Sequence, residues 1–217
     1  MDEKSKIPRP TAKRLTLYFR EIRSLVAAGR KTINSRQLGE ALGLTGAQVR
    51  KDLAFFGQFG HPGVGYEILG LHEQLKQLLG RDRTWNAILV GAGNIGRALL
   101  SYDHFSGDDF QIVGVFDADS ALVGSEWGGR SVHSMDRIDE VVRDQDVKLG
   151  IIAVPDHAAQ GVADSLIRAG ISGILNFAPR RLDVHDAVSI RSVDFTRSLE
   201  QLAFQISFGV SESMEDE

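Results

Sequence analysis

The residues best placed for chemistry lie in the middle of the chain. Gly91-Ala92-Gly93-Asn94-Ile95-Gly96 reads G-x-G-x-x-G, directly after the apolar run 87–90 and at the opening of a helical pattern. In such a loop the first glycine permits a tight turn and the second lets backbone approach a pyrophosphate. The third lets the helix pack closely on the strand, whose neighbouring helix N-terminus offers free N–H groups to phosphate. The motif is common, so its context matters. Asp117 ends the next apolar run 21 residues after Gly96, where a carboxylate can bind both ribose hydroxyls of an adenosine and would repel a 2′-phosphate. Strand, glycine turn, helix and acid in register predict a dinucleotide site that prefers NAD(H) to NADP(H). A vestigial or mononucleotide version of the same fold is the alternative.

Val154-Pro155 and Asn176-Phe177 each close an apolar run, and the carboxyl edge of an open α/β sheet is where cofactors lie. These four residues are candidates for the nicotinamide end, through the Asn176 amide or backbone. A dehydrogenase would also need a proton donor and substrate-binding groups. The six histidines (61, 72, 104, 133, 157 and 185) form no cluster with metal-ligand spacing, and cysteine is absent. His157, after the Val154-Pro155 edge, is the best single acid–base candidate, but it reads more simply as an exposed residue starting a helix. No catalytic residue and no metal site is therefore assigned, and the chain is expected not to be an enzyme.

The elements that must position these residues fall into two blocks. Up to about residue 80 the pattern is helical, then glycine-rich. A first helix (12–28) carries Leu15, Tyr18, Phe19, Ile22 and Leu25 along one stripe, and Gly29 stops it. Residues 35–42 form a second helix capped by Asn34 or Ser35. A Gly43-Leu44 turn and a Thr45 cap open a third, running to about Phe56. Helix, short glycine-containing turn, helix is a helix-turn-helix signature. The stretch 57–66 (GQFGHPGVGY) suits a hairpin wing, and a further helix spans 69–79. From residue 86 strands alternate with helices, which predicts a mainly parallel, doubly wound sheet. Strands are expected at 87–90, 110–116, 149–154, 171–178 and 188–193, with helices to about 102, over 135–144, 156–169 and 196–208. The fold class is α/β: a winged helix over 1–80, a Rossmann-like domain over 85–195, a C-terminal helix over 196–210, and a tail, 211–217, expected to be disordered.

Charge divides along the same line. Residues 1–60 contain 12 Lys+Arg against 5 Asp+Glu, about +7, whereas the rest holds 13 against 24, about −11. A basic module joined to an acidic one is the pattern of a polyanion binder with a separate partner domain. A solvated basic face with no partner accounts for the charge equally well. Thr45, Gln48, Arg50 and Lys51 fall in the N-terminal half of the third helix, the part a recognition helix inserts into the major groove. Arg and Lys favour guanine O6/N7 there, and Gln suits adenine. Phosphate contact or solvation is the alternative for each, while Val49, Leu53 and Phe56 read as core. No run reaches the roughly 20 apolar residues of a membrane helix, and the charged N-terminus lacks an apolar signal core. A cytoplasmic location is the expectation, without membrane partner or protein substrate.

Together the two modules resemble the Rex family of redox-sensing repressors over roughly residues 8–208. The strings that carry the likeness are Gln48-Val49-Arg50-Lys51-Asp52-Leu53 with Phe56-Gly57, Gly63-Val64-Gly65-Tyr66, 90–96, Gly173-Ile174-Leu175-Asn176-Phe177-Ala178-Pro179, and Val193-Asp194-Phe195. The resemblance implies a homodimer that binds a pseudo-palindromic double-stranded operator when NAD+ prevails and releases it when NADH accumulates. The genes it implies serve respiration, fermentation or NADH reoxidation. It places Gln48, Arg50 and Lys51 on DNA, Arg20, Tyr102 and Asp194 in the redox switch, and Phe195 beside the nicotinamide across the dimer. It also implies that the last helix is exchanged between subunits. That agrees with Leu199, Leu202, Ala203, Phe204, Ile206 and Phe208, which make the helix apolar over more than one face; packing on its own sheet is the alternative.

The wing departs from the family pattern. Many relatives carry a basic residue where this chain has Pro62, in Gly60-His61-Pro62-Gly63. An arginine there would read minor-groove width and potential. Proline cannot, and His61, a candidate wing contact, is mostly neutral at pH 7. Weaker minor-groove readout is the expectation.

Overall fold

The computed structural model describes residues 7–57, 59–61, 64–102, 109–185 and 187–209. The chain divides into two compact units, one ending at Asp82 and a second, Arg83–Val210.

The first unit begins with α1 (Arg9–Ala27), entered through Pro8 with Pro10 in the first turn, where a missing N–H is harmless. A short strand, β1 (Thr32–Ile33), leads to α2 (Ser35–Ala41). Its capping box is complete: Asn34 accepts from the Gln37 N–H while the Gln37 side chain accepts from the Asn34 N–H. The turn 42–45 joins α2 to α3 (Gly46–Ala54), capped by Thr45, whose hydroxyl accepts the Gln48 N–H at 3.1 Å. The wing is β2 (Gly60–His61) and β3 (Gly65–Glu67), antiparallel, with β1 on the far side of β3. The strand β1 went unread in the sequence because two residues carry no periodicity. Helix α4 (Ile68–Leu78) closes the unit. Leu15, Tyr18, Phe19, Ile22, Leu38, Val49, Leu53, Ile68, Leu71 and Leu75 form one core. Phe56 packs against it from just beyond α3, which ends two residues earlier than its apolar pattern suggests.

The second unit is a seven-stranded sheet. In sequence its strands are β4 (Trp85–Val90), β5 (Phe110–Asp117), β6 (Glu126–Trp127), β7 (Arg130–Ser134), β8 (Leu149–Ile152), β9 (Gly173–Asn176) and β10 (Ser189–Ser192). Their spatial order is β10-β9-β8-β4-β5-β7-β6, parallel throughout except for the β6–β7 pair. Setting β6 aside, this is the 3-2-1-4-5-6 order of the dinucleotide-binding fold, with its direction of winding reversing between β4 and β8. The helices are α5 (Asn94–Leu100), α6 (Ile138–Asp144), α7 (Asp156–Arg168) and α8 (Phe195–Phe208). Residues 135–144, expected as one helix, split into a 3-10 turn, Met135–Arg137, and α6. The β6–β7 hairpin was not anticipated, because its strands are short and largely polar.

Alternate residues of the buried strands feed two cores. Ile88, Val90, Phe116, Ile152 and Ile174 pack under α6 and α7. Ala87, Leu89, Ile112, Val115 and Ile151 pack on the other face, with Leu100 of α5. Strands covered on both faces read as continuous apolar runs rather than alternating ones.

Helix α8 is different. None of its residues is buried, and Leu199, Leu202, Phe204, Ile206 and Phe208 are 53–83% exposed within the single chain. Packing on its own sheet, the alternative left open by its pattern, is not what the helix does.

Candidate cofactor and DNA sites

The glycine loop sits at the reversal point of the sheet. Gly91 has φ +103°, and an added Cβ would fall 2.5 Å from the Ala153 carbonyl oxygen at the end of β8. Only glycine serves both the dihedral and the approach. A Cβ on Gly96 would overlap the Gly91 carbonyl, so Gly96 lets the first turn of α5 close onto the loop. Gly93 meets nothing there: its hypothetical Cβ has open space around it, although it is the residue expected nearest a pyrophosphate. Asn94 and Ile95 begin α5 and are exposed, while Ala92 is buried.

Asp117 holds this loop to the neighbouring strand. Its Oδ2 accepts the Ala92 N–H at 2.6 Å and its Oδ1 the Asp119 N–H at 2.9 Å. The side chain remains half-buried. A carboxylate has about four lone-pair directions, so two remain beyond these backbone contacts.

At the far side of the reversal point, Val154 lies against the glycine loop, and Pro155 is exposed at the start of α7. Asn176 requires a correction. It is 0% exposed, and its amide is spent inside the protein: Nδ2 donates to the carbonyls of Ala178 and Arg180, and Oδ1 accepts the Ala178 N–H. Its backbone carbonyl accepts from Val193. Asn176 shapes the loop after β9 and does not offer its amide to a ligand. Phe177 is half-buried, its ring centroid 6.3 Å from that of Phe195, which is itself exposed. Asp194 is the N-cap of α8, with Oδ1 accepting the Arg197 N–H at 3.0 Å. The helix therefore begins at Phe195, one residue earlier than expected. Tyr102 is exposed just beyond α5 in the same unit, and Arg20 is exposed on α1 in the first. His157 is an exposed residue opening α7. Among the described residues no group of acidic or histidine side chains could hold a metal ion.

In the first unit, Thr45, Arg50 and Lys51 are exposed on or beside α3, and Gln48 is half-buried. Arg50 donates to the Ser35 hydroxyl at 2.8 Å, tying the two helices of the motif. Pro62 and Gly63 lie outside the described residues, as do His104 and 211–217. His61 is placed only by its backbone, in β2.

A residue not singled out in the sequence organises this surface. Asp52, on the inward face of α3 with Val49 and Leu53, is 1% exposed. Arg14 binds it through both Nε (2.6 Å) and Nη2 (2.9 Å). Tyr18 Oη donates at 2.7 Å, Thr11 Oγ1 at 3.1 Å and Gln48 Nε2 at 2.9 Å. Burial alone would raise the Asp52 pKa, but hydrogen bonds from Arg14, Tyr18 and Gln48, with the Arg14 charge, hold it below the ordinary carboxylate value. Burial, then the hydrogen bond to Asp52, pushes the Tyr18 phenol well above its usual range. The signal was present in the sequence: polar residues at core positions of two helices, Thr11, Arg14 and Tyr18 on α1 and Asp52 on α3.

Fold and site define a class: a basic helix-turn-helix module joined to a dinucleotide-type glycine loop. Comparison with known proteins narrows it. Residues 6–54 match the model of a family described as "Putative DNA-binding protein N-terminus", and residues 82–180 match "CoA binding domain". The redox-sensing transcriptional repressor Rex of Carboxydothermus hydrogenoformans is 48% identical over 93% of this chain and 97% of its own. That of Desulforamulus reducens is 43% identical over 93% and 96%. The crystal structure of RSP in complex with beta-NAD+ and operator DNA matches with a TM-score of 0.90 at 35% identity, covering 94% of each chain. RSP in complex with beta-NADH matches with a TM-score of 0.83 at 33% identity, covering 94% and 96%. The chain belongs to the Rex family of redox-sensing transcriptional repressors.

Proposed function

We propose that this chain is a homodimeric repressor that holds operator DNA when NAD+ prevails and lets go when NADH binds. The observation that carries the reading is the presence in one chain of a basic recognition helix and the Gly91–Asp117 loop, both shared with a repressor whose structures include NAD+ with operator DNA and NADH. The dinucleotide is a signal and is not turned over.

Oxidised nicotinamide is a flat cation and reduced nicotinamide is neutral, so a site that contacts the two differently shifts the population of DNA-competent protein. Gly91, Gly93 and Gly96 admit the pyrophosphate and Asp117 takes the adenosine ribose. Val154, Pro155, Phe177 and Phe195 surround the nicotinamide end. Thr45, Arg50 and Lys51 face the operator, with Gln48. Arg20, Tyr102 and Asp194 form the switch, in which Asp194 pairs with the arginine in one state and the tyrosine hydroxyl in the other. The apolar α8, bare in the single chain, is the surface that a second copy covers. No helix among the described residues is long and apolar enough to cross a membrane, and the protein acts in the cytoplasm, where its operator is.

A mobility-shift titration tests this: a Rex-type palindromic duplex bound under NAD+, with NADH added in steps. Release by NADH is expected, and equal binding under both cofactors overturns the sensing role. Asp194→Ala should blunt the NADH response more than it alters binding under NAD+; an unchanged NADH titration removes Asp194 from the switch.

A further inference from the structure

We propose that Asp52 is a positioning residue for sequence readout: it fixes the side-chain amide of Gln48 so that the adenine-reading edge of that amide faces the major groove. The inference rests on the operator-binding role proposed above and extends it to a residue that never touches DNA.

The geometry begins with what a buried carboxylate can do. Ionised Asp52 only accepts hydrogen bonds, so the group turned towards it from Gln48 must be Nε2 rather than Oε1. That contact removes the ambiguity of the amide orientation. One Nε2 hydrogen is held at 2.9 Å from Oδ1. Left over are Oε1 and the second Nε2 hydrogen. A glutamine bonds adenine bidentately through Oε1, accepting from N6, and the Nε2 hydrogen cis to it, donating to N7, so that edge stays available when the tie to Asp52 is made through the hydrogen trans to Oε1. Positions 48 and 52 are neighbours one turn apart on α3, so the tie costs no backbone distortion.

Asp52 is in turn over-determined. Arg14, Tyr18 and Thr11 of α1 occupy its remaining lone pairs, so the carboxylate cannot rotate to follow the amide. No buried polar side-chain atom among the described residues lacks a partner. Stability alone is a weak reason for such a node, because well-packed apolar residues of similar volume often do as well as a buried ion pair. What an apolar replacement could not supply is a fixed acceptor beneath Gln48. Immobilising a long side chain before binding also removes entropy that would otherwise be lost on the DNA.

The test uses the full-length protein with NAD+ and a Rex-type palindromic duplex in which each half-site base pair is replaced in turn. Wild type should lose about tenfold or more in affinity at one adenine-bearing position, within the range of a bidentate base contact. Gln48→Ala should erase the penalty at that position only. Asp52→Asn, with its fold checked by circular dichroism and melting, should cut the same penalty by at least threefold and leave the salt dependence and the other positions as they were. Uniform weakening on every operator, or full retention of the penalty, overturns the proposal and leaves Asp52 structural. A second measurement needs no Asp52 variant. The Gln48 side-chain amide of the wild type, followed by 15N NMR before DNA is added, should show one protected hydrogen and restricted rotation; a freely averaging amide overturns the proposal. If wild type does not bind the palindrome, the repressor reading fails and takes this inference with it. NADH-sensitive binding in which no base pair responds to Gln48→Ala sinks the inference alone.

Discussion

Two aspartates organise the two units, and they do so in opposite ways. Asp52 receives five hydrogen bonds from side chains of α1 and α3 and is closed to solvent. Asp117 receives two from backbone N–H groups and stays half-open. The first has no lone pair to spare, so its role ends inside the protein or passes through a neighbour. The second has spare acceptor capacity at the mouth of a glycine loop, which is what a ligand-binding carboxylate needs. A carboxylate's remaining capacity, more than its burial, separates the two roles.

The largest effect expected from this contrast is in the closed node. Arg14→Ala strips a buried carboxylate of its counter-charge and should lower unfolding stability by about 3–5 kcal/mol in a denaturant titration, with or without NADH. A loss below about 1 kcal/mol would mean that the node is not closed as described. The same node sets a pH dependence. Because its folded pKa is lowered, Asp52 contributes fully above about pH 4. That contribution fades as the pH falls further, through the folded value. Thermal melts of wild type and Asp52→Asn should therefore converge in acid, and convergence already at pH 6 would contradict the assignment.

In the open region, effects divide between fold and ligand. Gly96→Ala forces a methyl into the Gly91 carbonyl and should destabilise by about 3 kcal/mol, near the upper end of overpacking penalties. Gly93→Ala meets empty space and has an ordinary extended backbone, so its melting temperature should not move. Its affinity for NADH, measured by nicotinamide fluorescence, should nevertheless fall about tenfold, or roughly 1.4 kcal/mol. Unchanged NADH binding would place the pyrophosphate elsewhere. The smallest effect is expected from Thr45→Ala, which removes the α3 cap and should cost about 1 kcal/mol of stability, with a modest loss of operator affinity.

Much of this was legible in the chain. The cores of α1, α3 and the sheet follow from apolar spacing, the caps at Asn34 and Thr45 from residue type, and the glycine loop with Asp117 from a fixed motif. Three features were not. Asn176 ends an apolar run at the sheet's ligand-facing edge, and a sequence cannot say whether an amide there turns out to a ligand or back into its own loop; the carbonyls of Ala178 and Arg180 turn it back. The β6–β7 hairpin is too short and polar to announce itself. Asp52 sat at a core position of a basic helix, which was readable, but its α1 partners lie 34–41 residues earlier in the chain and were not.

By itself the sequence determined the periodic and local features: which faces are apolar, where the caps of α2 and α3 fall, that Gly91 and Gly96 must be glycine, and that an acid follows the glycine loop at the right distance. Each depends on neighbours within a turn, a strand or one βαβ unit. Only the tertiary structure decided which polar groups are spent and which are free. Asp52 is saturated because α1 docks four donor groups of three residues onto α3, Asp117 keeps acceptor capacity because its partners are two backbone amides, and α8 stays bare because none of the described residues of its own chain buries it. Hydrogen-bond capacity is settled by what packs against a group, and that is a property of the folded chain.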